Sequence, residues 1–285
     1  MNDIEIGIIG GSGIYEIEEL ENVQEHHIET PFGAPSDDII VGELYGKKVA
    51  FLARHSRNHS IAPSEINNRA NIYALKLLGV KYLISVSAVG SMKEEIHPTD
   101  IVIPDQIFDR TKTRVNSFFG EGIVAHVSFD EPFCPHLRQM LVSATEKEGC
   151  RVHDGGTYIC IDGPQFSTKA ESRIYRSWGV DVIGMTAIPE AKLAREAEMC
   201  YGTIALSTDY DVWKEGEEVS VATVVGNLKK NAANAKKIVK RVIKNLPFER
   251  ECKCATALQY AIQTKKEAIP EQKKKELAIF ISKYL

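Results

Sequence analysis

Apolar runs of strand length alternate with stretches of helical periodicity along this chain. Strand-like runs stand at IEIGIIG (4–10), DIIVGEL (38–44), KKVAFLAR (47–54), KYLISVSA (81–88), DIVIPD (100–105), TYICID (157–162), DVIGM (181–185) and TIALSTD (203–209). Between them, 67–79, 135–149, 169–179 and 188–199 carry helical patterns, the first of which stops at Gly79. Strands alternating with helices predict an α/β layered fold around a largely buried sheet. Ser220 is a plausible N-cap for a long helix whose Val224, Leu228, Ala235, Val239 and Val242 share one face. A last helix is expected from about Pro270, with Leu277, Phe280 and Ile281 on its buried side. No repeat, low-complexity segment or interdomain linker interrupts the pattern, which favours a single domain with a helical extension over about 250–285.

Composition narrows the function classes. With 285 residues, 44% hydrophobic and 26% charged, the chain has enough apolar material for a substantial core. A formal net charge of -4 gives no reason to expect nucleic acid or an anionic membrane as a partner. The first residues lack the features of a signal peptide, and no run approaches the roughly 20 apolar residues that span a bilayer. A cytoplasmic protein is the expectation. None of the six cysteines forms a C-x-x-C pair, so no metal site is expected and buried thiols are the plain reading. Cys252-Lys-Cys254 is the exception to watch, because disulfides persist inside hyperthermophile cells. The richness in Lys, Glu and Ile fits such a source.

Candidate chemistry gathers at strand ends. GIIGGSGIY (7–15) runs from a strand into a glycine-rich turn, but a G-x-G-x-x-G placed on Gly11 and Gly13 would need glycine where Glu16 stands. Its backbone N–H groups and the Ser12 hydroxyl suit a phosphate; a plain tight turn fits the same residues. LARHSRNHS (52–60) puts Arg54, His55, Arg57 and His59 within six residues. Arginine matches a phosphate bidentately, and the alternative is a solvated basic loop. SVSAVGS (85–91) offers small residues and hydroxyls that let a ligand come close. In YGTIALSTDYDVW (201–213), Asp209 and Asp211 would project together from an extended strand end, unless they merely cap a helix or a turn. Several such segments together are better evidence than one, because open α/β sheets bind ligands at the carboxyl ends of their strands.

GIIGGSGIY, LARHSRNHSIAPSEINNRANIYALK, AVGSMKEEIHPTDIVIPDQIFDRT, EPFCP, IDGPQFST, GMTAIPEAKLAREAEMCY and STDYDVW follow one another in this order. Together, from about residue 5 to about 245, they resemble the 5'-methylthioadenosine phosphorylases of the purine nucleoside phosphorylase superfamily. The resemblance implies a central mixed, partly barrel-like β-sheet flanked by helices, and phosphorolysis of the C1'–N9 bond of a purine nucleoside. Inorganic phosphate would be a co-substrate and no cofactor would be needed. The implied phosphate site is Ser12, Arg54, His55, Ser87, Ala88 and Thr186. Phe166 would stack on the purine, although Gln165 stands where the usual motif has arginine. Asp209 would serve N7 as the catalytic carboxyl and Asp211 would accept from the 6-amino group. Met185 would lie under the ribose. Val221, Val224 and Val225 would wall the 5' end, joined by His126 from an adjacent subunit of a trimer or of a hexamer built from trimers. Hyperthermophile relatives further suggest Cys252–Cys254 and Cys134–Cys200 as disulfides.

The implied substrate is 5'-methylthioadenosine, cleaved to adenine and 5-methylthioribose 1-phosphate. A broad-specificity phosphorylase acting on adenosine, inosine or guanosine is the alternative within the class. A hydrolase would need water where Arg54, His55 and Thr186 stand, and a silent nucleoside-binding protein would keep the fold without phosphate-dependent cleavage.

Overall fold

The computed structural model describes residues 4–11, 17–216, 221–247, 249–250 and 252–285, and of residues 221–223 the backbone alone. In chain order the elements are β1 (Ile6–Gly10), β2 (Glu21–His26), β3 (Ile39–Leu44), β4 (Lys47–Ala53), α1 (Asn68–Leu78), β5 (Tyr82–Ser91), β6 (Ile101–Ile103), β7 (Gln106–Asp109), α2 (Pro135–Lys147), β8 (Val152–Asp154), β9 (Thr157–Cys160), α3 (Lys169–Ser177), β10 (Val182–Gly184), α4 (Ala187–Glu196), β11 (Cys200–Asp209), α5 (Val221–Asn245), α6 (Glu271–Glu276) and α7 (Ala278–Ile281).

Each apolar run read as a strand is one. The strands that pattern reading missed have no apolar signature: β2 is exposed over nearly its whole length, and β8 is three residues long. β7 reads QIFD and alternates between exposed and half-buried positions. The expected last helix breaks at the buried Leu277 into α6 and α7. Ser220, its expected counterpart at the start of α5, lies outside the described residues.

The strands form one mixed sheet in the order β2-β3-β4-β1-β5-β10-β9-β7, with β11 pairing both β5 and β6, and β6 pairing β8. The sheet branches at β5 and does not close, since β2, β7 and β8 remain as edges. Helices cover both faces, as a buried sheet requires. Ile72 and Leu75 of α1, Leu193 of α4 and Phe280 of α7 fill one core. Leu137 and Leu141 of α2 with Ile238, Val239 and Val242 of α5 fill the other. Gly202 of β11 lets α2 sit close, because a Cβ there would come within 2.9 Å of Leu141.

One detail of β5 positions everything that follows. β11 runs parallel to it along one edge from Tyr82 to Gly90. On the other edge β1 pairs parallel over Tyr82–Ser85, and β10 pairs antiparallel only at Gly90 and Ser91. Among the described residues, 86–89 therefore have no strand on that edge. A central strand with an unpaired stretch exposes backbone and side chains to whatever enters the gap.

Candidate active site at the gap in the central sheet

Arg54 leaves the end of β4, where its N–H donates to Gly10 O (3.0 Å), and runs inward to β5. The side chain is buried and its charge is matched there. Nε and Nη2 donate to the two oxygens of the fully buried Glu190 (2.5 and 3.0 Å), Nη2 also to Ser85 Oγ (2.7 Å), and Nη1 to Val86 O (2.9 Å). Ser85 Oγ and Tyr201 OH complete the carboxylate's partners at 3.1 and 3.0 Å. Burial opposes the guanidinium charge, and Glu190 more than compensates, so the pKa rises above its ordinary value. Glu190 carries no sequence signal beyond its place in IPEAK; a lone glutamate in a helical pattern reads as a surface residue.

The basic cluster of 52–60 does not act as one unit. Arg57 lies at the surface and pairs with Asp37 and Glu25. His55 turns inward, and its Nδ1 donates to Ile61 O at 2.8 Å. Burial pulls its pKa down to about 4, so the ring is neutral near pH 7 with Nε2 bare.

Ser87 and Ala88 lie in the unpaired stretch of β5. Ala88 is exposed although Ser87 and Val89 on either side are buried, so solvent reaches the strand at this point. Ser87 Oγ lies 2.9 Å from Thr186 Oγ1 and 3.2 Å from Tyr158 OH. Thr186 stands at the N-cap position of α4, yet its side chain makes no cap hydrogen bond. Ser12, the remaining member of the expected phosphate set, lies outside the described residues.

About 10 Å further along β5, at three residues of 3.3 Å each, Gly90 pairs with Asp209 at the end of β11. The two carboxylates do not project together by strand alternation as expected. The register slips between Ser207 and Asp209, and Asp211 takes a left-handed φ of 51°. Asp211 N–H instead donates to Asp209 Oδ1 at 2.7 Å, a tight Asx turn that brings the Asp209 carboxyl and the Asp211 Cβ against Gly90. A Cβ on Gly90 would approach Asp209 Oδ1 to 3.0 Å, so glycine leaves the space these groups use.

Burial raises the pKa of Asp209 and of Asp211. The surroundings of Asp209 suit a proton. Thr208 Oγ1 lies 2.7 Å from Asp209 Oδ2 and 3.2 Å from Val89 O, and one hydroxyl proton can serve only one of them. A protonated Asp209 satisfies both, donating to Thr208, which then donates to Val89 O. Asp211 Oδ2 is buried and has no hydrogen-bond partner among the described residues, while the nearby Ser172 hydroxyl offsets part of the burial that raises this carboxyl's pKa.

Phe166 lies on the loop between β9 and α3 and is 49% exposed, which leaves its ring accessible to a ligand. The loop is held at both ends. Thr168 and Glu171 form a capping box at the start of α3. Arg114, which sequence reading missed, donates to Ile161 O, Asp162 O, Met185 O and Ile188 O at 2.5–3.2 Å. It thereby ties the loop to the half-buried Met185. Gln165 is exposed, and Arg114 holds this loop without an arginine at 165.

α5 is fastened over the end of β11 by Asn231 Nδ2, which donates to Ser207 O, and by Asn227 Nδ2, which donates to Thr208 O, both at 2.8 Å. Val224, one turn before Asn227 on the same face, is half-buried, and Val225 is exposed. Val221 lies in the segment whose side chains are not described. His126 is elsewhere: its N–H donates to Ala261 O (2.9 Å), and the neighbouring Ala125 bridges Ile262 of the C-terminal segment. All six cysteines are unbonded, so neither expected disulfide is present; Cys134, Cys200, Cys252 and Cys254 instead gather in one cluster.

A mixed sheet with hydroxyls, a buried arginine and a carboxyl pair at its strand ends places polar groups where open α/β sheets bind ligands, and comparison with known proteins shows the family. Residues 5–244 match the model of the phosphorylase superfamily, to which this chain belongs. It is 56% identical over 282 residues to the S-methyl-5'-thioadenosine phosphorylase of Geobacter sulfurreducens, covering 98% of this chain and 99% of that one. A crystal structure of methylthioadenosine phosphorylase from an antarctic soil metagenomic library superposes with a TM-score of 0.93 at 49% identity, covering 98% of this chain and 99% of that one. An S12T mutant of the Schistosoma mansoni adenosine/methylthioadenosine phosphorylase, in complex with methylthioadenosine, gives 0.81 at 32% identity, with 98% of each chain covered. Within the superfamily, the chain falls among the methylthioadenosine phosphorylases.

Proposed function

We propose that this chain cleaves 5'-methylthioadenosine with inorganic phosphate to give adenine and 5-methylthioribose 1-phosphate. The observation that carries the reading is the carboxyl pair at the end of β11: one group built to hold a proton, the other a buried oxygen without a donor. Phosphate binds against Ser87, Thr186, the backbone at Ala88 and the Nη1 edge of Arg54 not taken by Glu190, its own O–H donating to the bare Nε2 of His55, with Ser12, which follows β1 in sequence, completing the set. A phosphate oxygen attacks C1' as the C1'–N9 bond breaks and its electrons pass into the purine. Asp209 supplies the proton, or a strong hydrogen bond, at N7 and regains its proton from solvent. The 6-amino group of adenine donates to Asp211 Oδ2, Phe166 stacks on the base, and Met185 packs under the ribose. The spacing of about 10 Å along β5 from Ser87 to the residue facing Asp209 leaves room for a ribose between phosphate and base. The reaction uses phosphate as co-substrate and calls for no other group.

Val221, Val224 and Val225 wall the 5' methylthio group, and His126 reaches that group in a neighbouring subunit. This requires a second copy of the chain, and a trimer, or a hexamer of two trimers, is the assembly the family resemblance implies; exposed Val124 and Tyr260 beside the His126 segment support a second copy covering it. The cytoplasm is the compartment in keeping with six unbonded thiols. The test is base release from methylthioadenosine, adenosine, inosine and guanosine with and without phosphate. Methylthioadenosine cleavage that stops without phosphate is expected; inosine turnover without methylthioadenosine cleavage would overturn the substrate.

A further inference from the structure

Four of the six cysteines, from three separate stretches of the sequence, meet at the opposite end of β11 from the carboxyl pair. Cys200 is the first residue of β11, Cys134 the N-cap of α2, and Cys252 and Cys254 flank Lys253 at the start of a 3-10 turn over Lys253–Thr256. Their sulfurs all lie within 4.8 Å of one another, and the shortest recorded separation, Cys200 to Cys252, is 3.2 Å. A zinc ion about 2.3 Å from each of four thiolates separates the sulfurs by about 3.8 Å, between these limits. A disulfide would need about 2.0 Å.

We propose that Cys134, Cys200, Cys252 and Cys254 form a structural tetrathiolate site for zinc. Three of the four are buried and Cys252 is half-buried, so the set is closed, with no position open to a substrate. The surroundings suit thiolates. Arg195 Nη1 donates to Cys254 Sγ at 3.8 Å, offsetting part of the net charge of −2 that four thiolates leave on a divalent ion. Cys134 heads α2, followed by Pro135 and making no cap hydrogen bond, where a helix N-terminus favours an anionic sulfur. Cys150 and Cys160 stand apart; the Cys160 sulfur accepts from Ile188 N–H at 3.4 Å.

The site fastens the segment from Cys252 onward to the base of β11 and to α2. That segment already leans on the core at Glu198, which accepts from Leu258 N–H (3.0 Å) and Tyr284 OH (2.5 Å), and it pairs with the strand-like stretch carrying His126. Spacing rules overlook the site because only Cys252 and Cys254 are neighbours in sequence, and C-x-C is not a zinc knuckle.

The test uses the full-length wild-type chain purified without chelators. Elemental analysis is expected to find one zinc per chain, and all six thiols should titrate after denaturation with chelator and no reductant. The metal-free protein, taking up one equivalent of Co2+, should develop thiolate-to-cobalt charge-transfer absorption and tetrahedral d–d bands. The double variant Cys252→Ser/Cys254→Ser should lose both signals, and Cys150→Ser/Cys160→Ser should keep them. Substoichiometric zinc together with no tetrahedral cobalt spectrum would overturn the proposal, and so would four thiols blocked as two disulfides before reduction. The cobalt titration on the wild-type chain decides the matter even if the double variant does not fold.

Discussion

At its first residue β11 runs into four sulfurs, three of them buried; at its last, it opens into two carboxyls beside an exposed alanine, a left-handed aspartate and an acceptor without a donor. The strand between them is ten residues long, both ends included. The sulfur end is closed, and every contact there holds chain to chain. The carboxyl end keeps polar groups short of partners, a cost that folding alone gives no reason to bear. One strand thus divides holding the fold from keeping a site ready. Removing a group should have opposite consequences at its two ends: at the sulfur end stability falls, and at the carboxyl end activity falls while stability holds or rises.

The largest effect is expected from Asp209→Ala, which removes the carboxyl proposed to protonate N7. Its kcat/KM for methylthioadenosine should fall roughly a hundred- to ten-thousand-fold with the circular dichroism spectrum unchanged. Near-normal turnover would remove Asp209 from the chemistry. Next in size is Glu190→Ala, which strands the buried Arg54 charge and should cost about 3–5 kcal/mol, read from urea denaturation. An unchanged midpoint would mean that Arg54 finds another counter-charge.

Asp211→Asn should narrow the preference for adenosine over inosine by about 1–3 kcal/mol, the cost of a mispaired buried polar group, seen as a ratio of kcat/KM values. The same variant should be more stable than wild type at alkaline pH. Burial raises the Asp211 pKa, so its ionised form is penalised in the fold; the penalty is complete above the raised pKa and fades as pH falls to the ordinary carboxylate range near 4. Melting curves across pH in which Asp211→Asn never exceeds wild type would break the comparison between the two ends. The smallest effect concerns His55. Its pKa is depressed by burial to about 4, so its contribution to stability is full above the unfolded value of about 6.5 and is lost as pH falls toward 4. His55→Asn should flatten that part of the acid limb, and an unaltered slope would show that the ring titrates freely.

Much of this was legible from the chain alone. Buried strands such as β5 and β11 announce themselves because a strand covered on both faces must be apolar throughout, and α1 because its stripe ends on Gly79, which takes φ 103°. Arg54, Ser87, Thr186, Asp209 and Asp211 stood out by type and by their places in a series of motifs. The edge strand β2 did not, having no buried face to mark it.

What the sequence by itself determined is the layering of strands and helices and the residue types at the strand ends, since burial and backbone propensity act locally and leave a periodic trace. Only the tertiary structure decided the partners. Glu190 meets Arg54 across 136 positions, Arg114 reaches loops more than 40 residues away, and Cys252 meets Cys200 across 52. The geometry of the two aspartates was decided there too, by a slip in register and a left-handed turn instead of strand alternation. Such meetings depend on how the sheet brings distant segments together, and a linear pattern carries no record of distance in space.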